Sequence, residues 1–228
     1  MNALTIKFGL TIATVVLAAV LAGSFVATIY REQNSRGTLL PTQGMTVLPS
    51  PKQITAFSLT DHEQHSFDLA SLKGKWSFLF FGFTSCPDIC PTTLSVLAGV
   101  RNKVADRTPA PKPAAAAATP MQFVFISVDP KRDTPAKLGQ YVTHFDSSFN
   151  GVTGSNSELG NLARQLGAVY ELSATTPGSD DYRVFHTSAV FLVDPLARYH
   201  AVLSSPHDAE TISKRFLVLR ELEEGPVR

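Results

Sequence analysis

Apolar residues fall into two kinds of run along this chain. Trp76–Phe83, WSFLFFGF, and Met121–Asp129, MQFVFISVD, are nearly unbroken, as expected of strands buried on both faces of a sheet. Thr187–Asp194, TSAVFLVD, and Arg198–Ser205, RYHAVLSS, alternate around an Asp194-Pro195 turn, which predicts two further strands. Earlier, ITAFSLTDHEQHSFDLASLKGK, residues 54–75, reads as strand, turn, strand and a short turn. Between these segments the period lengthens. Thr92–Arg107 predicts a helix with Leu94, Leu97 and Val100 on its apolar side. Thr134 is placed as an N-cap, and Pro135 as the first-turn residue, of a helix over AKLGQYVTHF. Ser155 and Glu158 have capping-box spacing ahead of LGNLARQLGAVY. Ser205, Pro206 and Asp208 open a last helix, AETISKRFLVLREL. Strands alternating with helices and ending in a hairpin predict an α/β sandwich around a mixed sheet.

One segment breaks this pattern. Residues 8–30, FGLTIATVVLAAVLAGSFVATIY, carry no charge and are flanked by Lys7 and Arg31. At a helical rise of ~1.5 Å per residue they reach about 34 Å, enough for a hydrocarbon core of ~30 Å. Signal-peptide cores are shorter, about 7–15 apolar residues. The expectation is therefore an uncleaved signal anchor; the alternative is a cleaved signal peptide, for which VLAGS and SFVAT offer small residues. No cysteine follows them, which excludes a lipoprotein anchor. Either way the rest of the chain leaves the cytosol. The organisation expected is a short tail over 1–7, the anchor over 8–30, a polar tether over 31–48 with Gly37, Pro41 and Gly44, and one domain over 49–228. Within that domain TPAPKPAAAAATP, residues 108–120, reads as a surface insertion, because its prolines break any helix. Lys7 on one side and Arg31 with Arg36 on the other leave the orientation undecided.

Composition narrows the function classes. Twenty basic and nineteen acidic residues nearly cancel, so the chain lacks the electrostatic footprint of a nucleic-acid binder. It has two cysteines, Cys86 and Cys90, in FFGFTSCPDICPTTL. A structural disulfide is the ordinary reading for an exported protein. Yet closing so short a loop removes little chain entropy, since even a 15-residue loop contributes only ~3 kcal/mol. A redox pair or a metal claw explains the pair better. The strand–loop–helix setting suits either, because a helix start carries unpaired N–H groups and a partial positive charge that favour thiolate.

The C-x-x-x-C spacing separates redox from metal only weakly. Two thiolates plus one imidazole would make a soft three-coordinate site suited to Cu(I), with the nitrogen allowing Cu(II). A structural zinc site would want a fourth ligand, and there is no third cysteine. Six histidines are available. His62 and His65 are expected to be exposed in the DHEQH turn, His144 near a helix end, His200 inside the last strand and His207 at the start of the last helix. His186 stands in DYRVFHTSAVFLVD, in a loop feeding a buried strand. By position alone a histidine there is more often a packing or capping residue than a ligand. Asp129, at the end of the second buried strand, is either a partner of the cysteine loop or a turn former or helix cap together with Asp133.

TSCPDICPTTL, FISVDPKRDTPAKLGQYV, GVTGS and DYRVFHTSAVFLVDP occur in that order, and in this the chain resembles the Sco/SenC family over roughly residues 57–217. These are membrane-anchored, thioredoxin-like copper proteins of cytochrome c oxidase assembly. The resemblance implies a thioredoxin-like mixed sheet flanked by helices, behind a single N-terminal transmembrane helix. It implies one copper ion bound by Cys86, Cys90 and His186, and a domain on the periplasmic face of a bacterial inner membrane. The partners implied are the copper-bearing oxidase subunit, a copper donor and a thioredoxin-like reductant. Three departures stand out: Phe185 where an acidic residue often precedes the histidine, Gln64 in place of a turn glycine, and the long 108–120 segment.

The same cysteines would also serve a thiol–disulfide reductase that keeps the oxidase cysteines reduced. FTSC is loosely similar to a peroxiredoxin site, though no arginine is obviously placed to polarise a peroxide. A sensory role, with copper occupancy read by a partner, is the remaining alternative.

Overall fold

The computed structural model describes residues 21, 23, 24, 44–108, 119–174 and 182–225. The chain divides into two units, Met1–Leu40 and Pro41–Arg228. In the first, Leu21, Gly23 and Ser24 are helical. The rest of the expected anchor, and the tether as far as residue 43, lie outside the described residues. Among the described residues no helix is long and apolar enough to cross a membrane.

The second unit is built from β1 (Met45–Gln53), β2 (Ser58–Asp61), β3 (Ser66–Asp68), α1 (Leu69–Leu72), β4 (Trp76–Gly82), α2 (Ile89–Arg107), β5 (Met121–Ser127) and α3 (Pro135–Phe145). It continues with β6 (Asn150–Thr153), α4 (Asn156–Leu166), β7 (Tyr170–Ala174), β8 (Tyr182–His186), β9 (Val190–Val193), β10 (Arg198–Leu203) and α5 (Ala209–Glu224). Eight strands form one sheet in the order β1-β10-β9-β4-β5-β6-β2-β3, while β7 and β8 pair separately. β4, β5 and β6 run parallel to their neighbours in that trio, and β9 lies antiparallel to β4. This is a mixed sheet flanked by helices, as the sequence pattern predicts, and it is thioredoxin-like, as the resemblance implies.

All seven residues of β4 are buried, which accounts for its unbroken apolar run. Successive side chains point to opposite faces. Phe78 and Phe80 meet Leu94 and Leu97 of α2, Leu138 of α3 and Phe216 of α5 on one side. Leu79 and Phe81 join Leu159 and Leu162 of α4 on the other. The helix signals hold at α3, where Thr134 accepts from the Lys137 N–H at 3.4 Å, and at α5, where Asp208 accepts from the Thr211 N–H at 2.7 Å.

Four features differ from the sequence reading. Residues 45–48, read as tether, begin β1, which pairs with β10 at the sheet edge. β6, β7 and β8 are only four or five residues long, so they carry no long apolar run. Ser155 accepts from the Glu158 N–H at 3.3 Å, but the Glu158 carboxylate accepts from the Ser58 N–H at 2.9 Å instead of closing the box. α4 stops at Leu166 because Gly167 takes the left-handed conformation, φ 76°. Of the segment read as an insertion, residues 109–118 lie outside the described residues; Thr108 caps α2, and the Pro120 carbonyl accepts from the Trp76 N–H at 2.9 Å.

The β9–β10 turn carries a pH-sensitive group. Asp194 is buried, and burial alone would raise its pKa. Hydrogen bonds from His200 and Arg198 outweigh that and hold it at about 2, below its ordinary 3.8. A depressed carboxylate stabilises the fold above its unfolded pKa and loses that contribution as pH falls through the folded value. The stability advantage of the native protein over Asp194→Asn is therefore expected to shrink as pH drops from about 4 toward about 2. Urea denaturation across that range checks it; an advantage that stays flat there contradicts it.

Candidate metal centre

The cysteine loop leaves the C-terminal end of central β4 and turns into α2. α2 begins at Ile89, three residues before the predicted start, so Cys90 sits in its first turn. The capping residue Asp88 makes no side-chain cap hydrogen bond. Both cysteines are free thiols, Cys86 half-buried and Cys90 buried. Cys90 packs into the core with Phe80, Phe125 and Leu94. Its burial pushes the thiol pKa far up, against a lowering hydrogen bond with the Phe83 backbone. The helix start, expected to favour thiolate, is thus outweighed at Cys90 by loss of solvent. A metal entering here must displace a proton from sulfur.

His186 ends β8, four residues before the buried strand β9 begins, and does not lie in a loop. Its Nε2 is 3.3 Å from Cys90 Sγ. Its Nδ1 is 3.1 Å from the Thr187 carbonyl. A carbonyl only accepts, so Nδ1 carries the proton and the Nε2 lone pair faces the sulfur. Burial lowers the imidazole pKa, with the Thr187 carbonyl opposing, which favours the neutral ring a metal needs. The rings of Phe80 and Phe83 stand edge-on to the imidazole at 5.8 and 5.9 Å. The donor atoms of Cys86, Cys90 and His186 all lie within 4.8 Å of one another.

Three of the other histidines, His62, His200 and His207, have structural contacts. His62, expected exposed, is half-buried, and its Nδ1 accepts from the Gly151 N–H at 3.2 Å. His200 packs edge-on against Trp76 at 5.5 Å. His207 donates to the Ser188 carbonyl at 2.7 Å. His144 is exposed on α3. His65 groups with Asp61 and Glu63, but this is an exposed turn in which Asp61 Oδ1 accepts from the N–H groups of Glu63 and His65 at 2.9 and 2.8 Å.

A buried carboxylate, Asp133, supports the loop from beneath. It accepts from the Thr84 N–H at 2.8 Å and the Thr84 hydroxyl at 2.5 Å. It also accepts from the Ser127 hydroxyl at 2.6 Å and from Lys137 Nζ at 3.2 Å. The sequence reading placed Asp133 only as a turn former or helix cap together with Asp129, because an acidic residue just before the Thr134 cap fits that ordinary role. Asp129 is the neighbouring buried carboxylate and is bound by Arg132 and Tyr182. That occupies the one arginine of the PKRDTP segment and leaves it no part in polarising a peroxide.

Gly82 is required by close packing. A Cβ there would stand 2.7 Å from Cys90 Sγ and 2.6 Å from the Phe125 ring. Gly82→Ala is expected to lower stability by about 1–3 kcal/mol, the range for overpacked cores, and to displace Cys90. Thermal unfolding together with copper titration checks both effects; an unchanged melting temperature contradicts the packing argument.

A thioredoxin-like sheet that brings two sulfurs and one imidazole together at a strand-to-helix loop defines a protein with a soft-metal site. The chain belongs to the SCO1/SenC family, whose profile matches residues 47–219. It is 36% identical over 160 residues to a putative copper-binding protein of Stutzerimonas stutzeri, covering 70% of this chain and 73% of that one. It is 35% identical over 157 residues to the mitochondrial SCO2 homolog of Bos taurus, covering 69% of this chain and 56% of that one, so it spans little more than half of that relative. Among solved structures it is similar to Arabidopsis thaliana ScoI with copper bound, with a TM-score of 0.63 and 31% identity over 75% of this chain and 98% of that one.

Proposed function

We propose that this protein is a copper metallochaperone. It binds one copper ion through Cys86 Sγ, Cys90 Sγ and His186 Nε2 and hands it on as cargo. The observation that carries this reading is the convergence of His186 on the cysteine pair from 96 residues away along the chain. A donor set of two sulfurs and one imidazole suits Cu(I) and, through the nitrogen, Cu(II). It lacks the fourth ligand usual in structural zinc sites. Copper-bound relatives of the same fold support the choice of metal.

Loading needs both thiols reduced and the Cys90 proton displaced. In an oxidising compartment that calls for a thioredoxin-like reductant and a copper donor protein. Proteins of this family are associated with cytochrome c oxidase assembly. The proposed recipient is therefore the dinuclear copper site of the oxidase subunit. Residues 8–30 are proposed to anchor the chain in a bacterial inner membrane, with the domain on the periplasmic side. Half-buried Cys86 gives an incoming thiolate access to the ion by ligand exchange, without prior release.

X-ray absorption on the copper-loaded protein tests the site. Two sulfurs and one nitrogen per copper are expected; sulfur alone, or no stoichiometric uptake, contradicts the reading. The two free, adjacent thiols also favour a second reading, a thiol–disulfide reductase for the same oxidase site. That reading requires fast exchange by Cys86 with no dependence on His186.

A further inference from the structure

β7 and β8 form a two-stranded sheet apart from the main one. Such ribbons are marginal on their own in water, so whatever holds β8 also holds His186. At the His186 end, Thr187 and Val169 exchange hydrogen bonds: the Thr187 N–H donates to the Val169 carbonyl at 2.8 Å, and the Val169 N–H donates to the Thr187 hydroxyl at 2.9 Å. These close the hairpin on itself.

The other end of β8 is tied outward. The Tyr182 hydroxyl donates to Asp129 Oδ1 at 2.5 Å. The Arg132 guanidinium lies over the Tyr182 ring at 4.0 Å and donates through Nη1 to the Tyr182 carbonyl at 3.3 Å. Its Nε pairs with the second Asp129 oxygen. Asp129 is 1% exposed, and these two side chains bind both of its oxygens. Burial, and then the Asp129 carboxylate, push the Tyr182 phenol up to about 12, which keeps it a donor at neutral pH. The Asp129 N–H donates to Ser127 Oγ at 3.1 Å, and the Ser127 hydroxyl donates to Asp133, the carboxylate that holds Thr84. Hydrogen bonds therefore run from the head of β8 to the cysteine loop. Burial along β8 alternates, with Tyr182, Val184 and His186 inward and Arg183 and Phe185 outward. Turning Tyr182 inward turns His186 inward as well.

We propose that Asp129, Arg132 and Tyr182 form a latch that positions His186 over the cysteine pair and so governs whether copper is held with its nitrogen ligand. The latch rests on the copper reading above. The cysteines stand on α2 and the loop before it, outside the hairpin, and Cys90 is held by the core, so releasing the latch removes the imidazole and leaves both sulfurs. Cu(I), which two thiolates retain, is affected less than Cu(II), which needs the nitrogen.

The test uses the full-length chain with Tyr182→Phe and Asp129→Asn, and with outward-facing Arg183→Ala as the control. Copper-free protein should show amide exchange over residues 182–186 faster by about tenfold in the two latch variants. Apparent Cu(II) affinity should fall about tenfold as the competent hairpin population falls, with Cu(I) affinity changing less than about threefold. Arg183→Ala should leave all three readouts within about twofold, as expected of a surface substitution. Tyr182→Phe removes one oxygen from a half-exposed residue, so it keeps the test open should Asp129→Asn fail to fold. Unchanged exchange and unchanged Cu(II) affinity in Tyr182→Phe overturn the latch. Equal losses of Cu(I) and Cu(II) with a lowered melting temperature also overturn it, because they mark a merely structural role. Wild-type protein whose Cu(II) spectrum lacks imidazole nitrogen overturns the copper reading itself, whereas wild-type nitrogen that survives intact in Tyr182→Phe overturns the latch alone.

Discussion

His186→Ala is expected to weaken Cu(II) binding by at least about a hundredfold, beyond the 10–100-fold typical of losing a partner outside the ligand shell. The imidazole is the one nitrogen donor in the trio, and Cu(II) prefers nitrogen where Cu(I) accepts two sulfurs. The thiols themselves should survive, because Cys90 is held by the core and not by the ring. Two-sulfur Cu(I) binding is therefore expected to remain, weaker but measurable, in competition with a chromogenic Cu(I) chelator. The substitution also separates the two functional readings. Unchanged copper binding would mean that His186 is not a ligand and would end the chaperone reading built on it, whereas collapsed thiol exchange would end the reductase reading, which does not use the ring.

Asp133→Ala is expected to be the most destabilising single change near the site. The carboxylate has no exposed surface. It satisfies the Thr84 N–H and hydroxyl, the Ser127 hydroxyl and Lys137. Removing it leaves buried donors without acceptors, and breaking such a buried network costs about 3–5 kcal/mol. At 2–4 °C per kcal/mol for a domain of this size, that is a fall in Tm of roughly 6–20 °C. Thr84 lies two residues before Cys86, so faster alkylation of the cysteines should accompany the loss. Asp133→Asn keeps one acceptor oxygen and should lose less. A Tm within a degree of native for Asp133→Ala would show that the network contributes nothing.

Several of these features were legible in the residues. The unbroken run of β4 predicted a strand with both faces covered, and Phe78 with Leu79 face opposite cores as period two requires. The cap at Thr134 was read correctly, and Asp208 was among the residues placed at the start of the last helix, because a cap is a local bond made within three residues. The strands β6, β7 and β8 were missed because four or five residues are too few to impose a long apolar run, and β1 because an edge strand buries only part of its length. Cys90 shows the same limit in its chemistry. Its place at a helix start could be read from the sequence and argued for thiolate, but how deeply the first turn sinks beneath β4 could not, and burial proved the larger effect.

What the chain alone determined is therefore everything governed by near neighbours: the period of its core segments, its helix starts, and two thiols spaced by a single loop. Chain position did not single out His186 among six histidines; the resemblance named it, and only the folded arrangement shows it beside those thiols and decides which carboxylates stand behind them. His186 is far from Cys90 along the chain, and its position depends on how a separate hairpin is tied down. Hydrogen bonds between residues so distant leave no periodic trace in a sequence, because their geometry exists only after the sheet has closed.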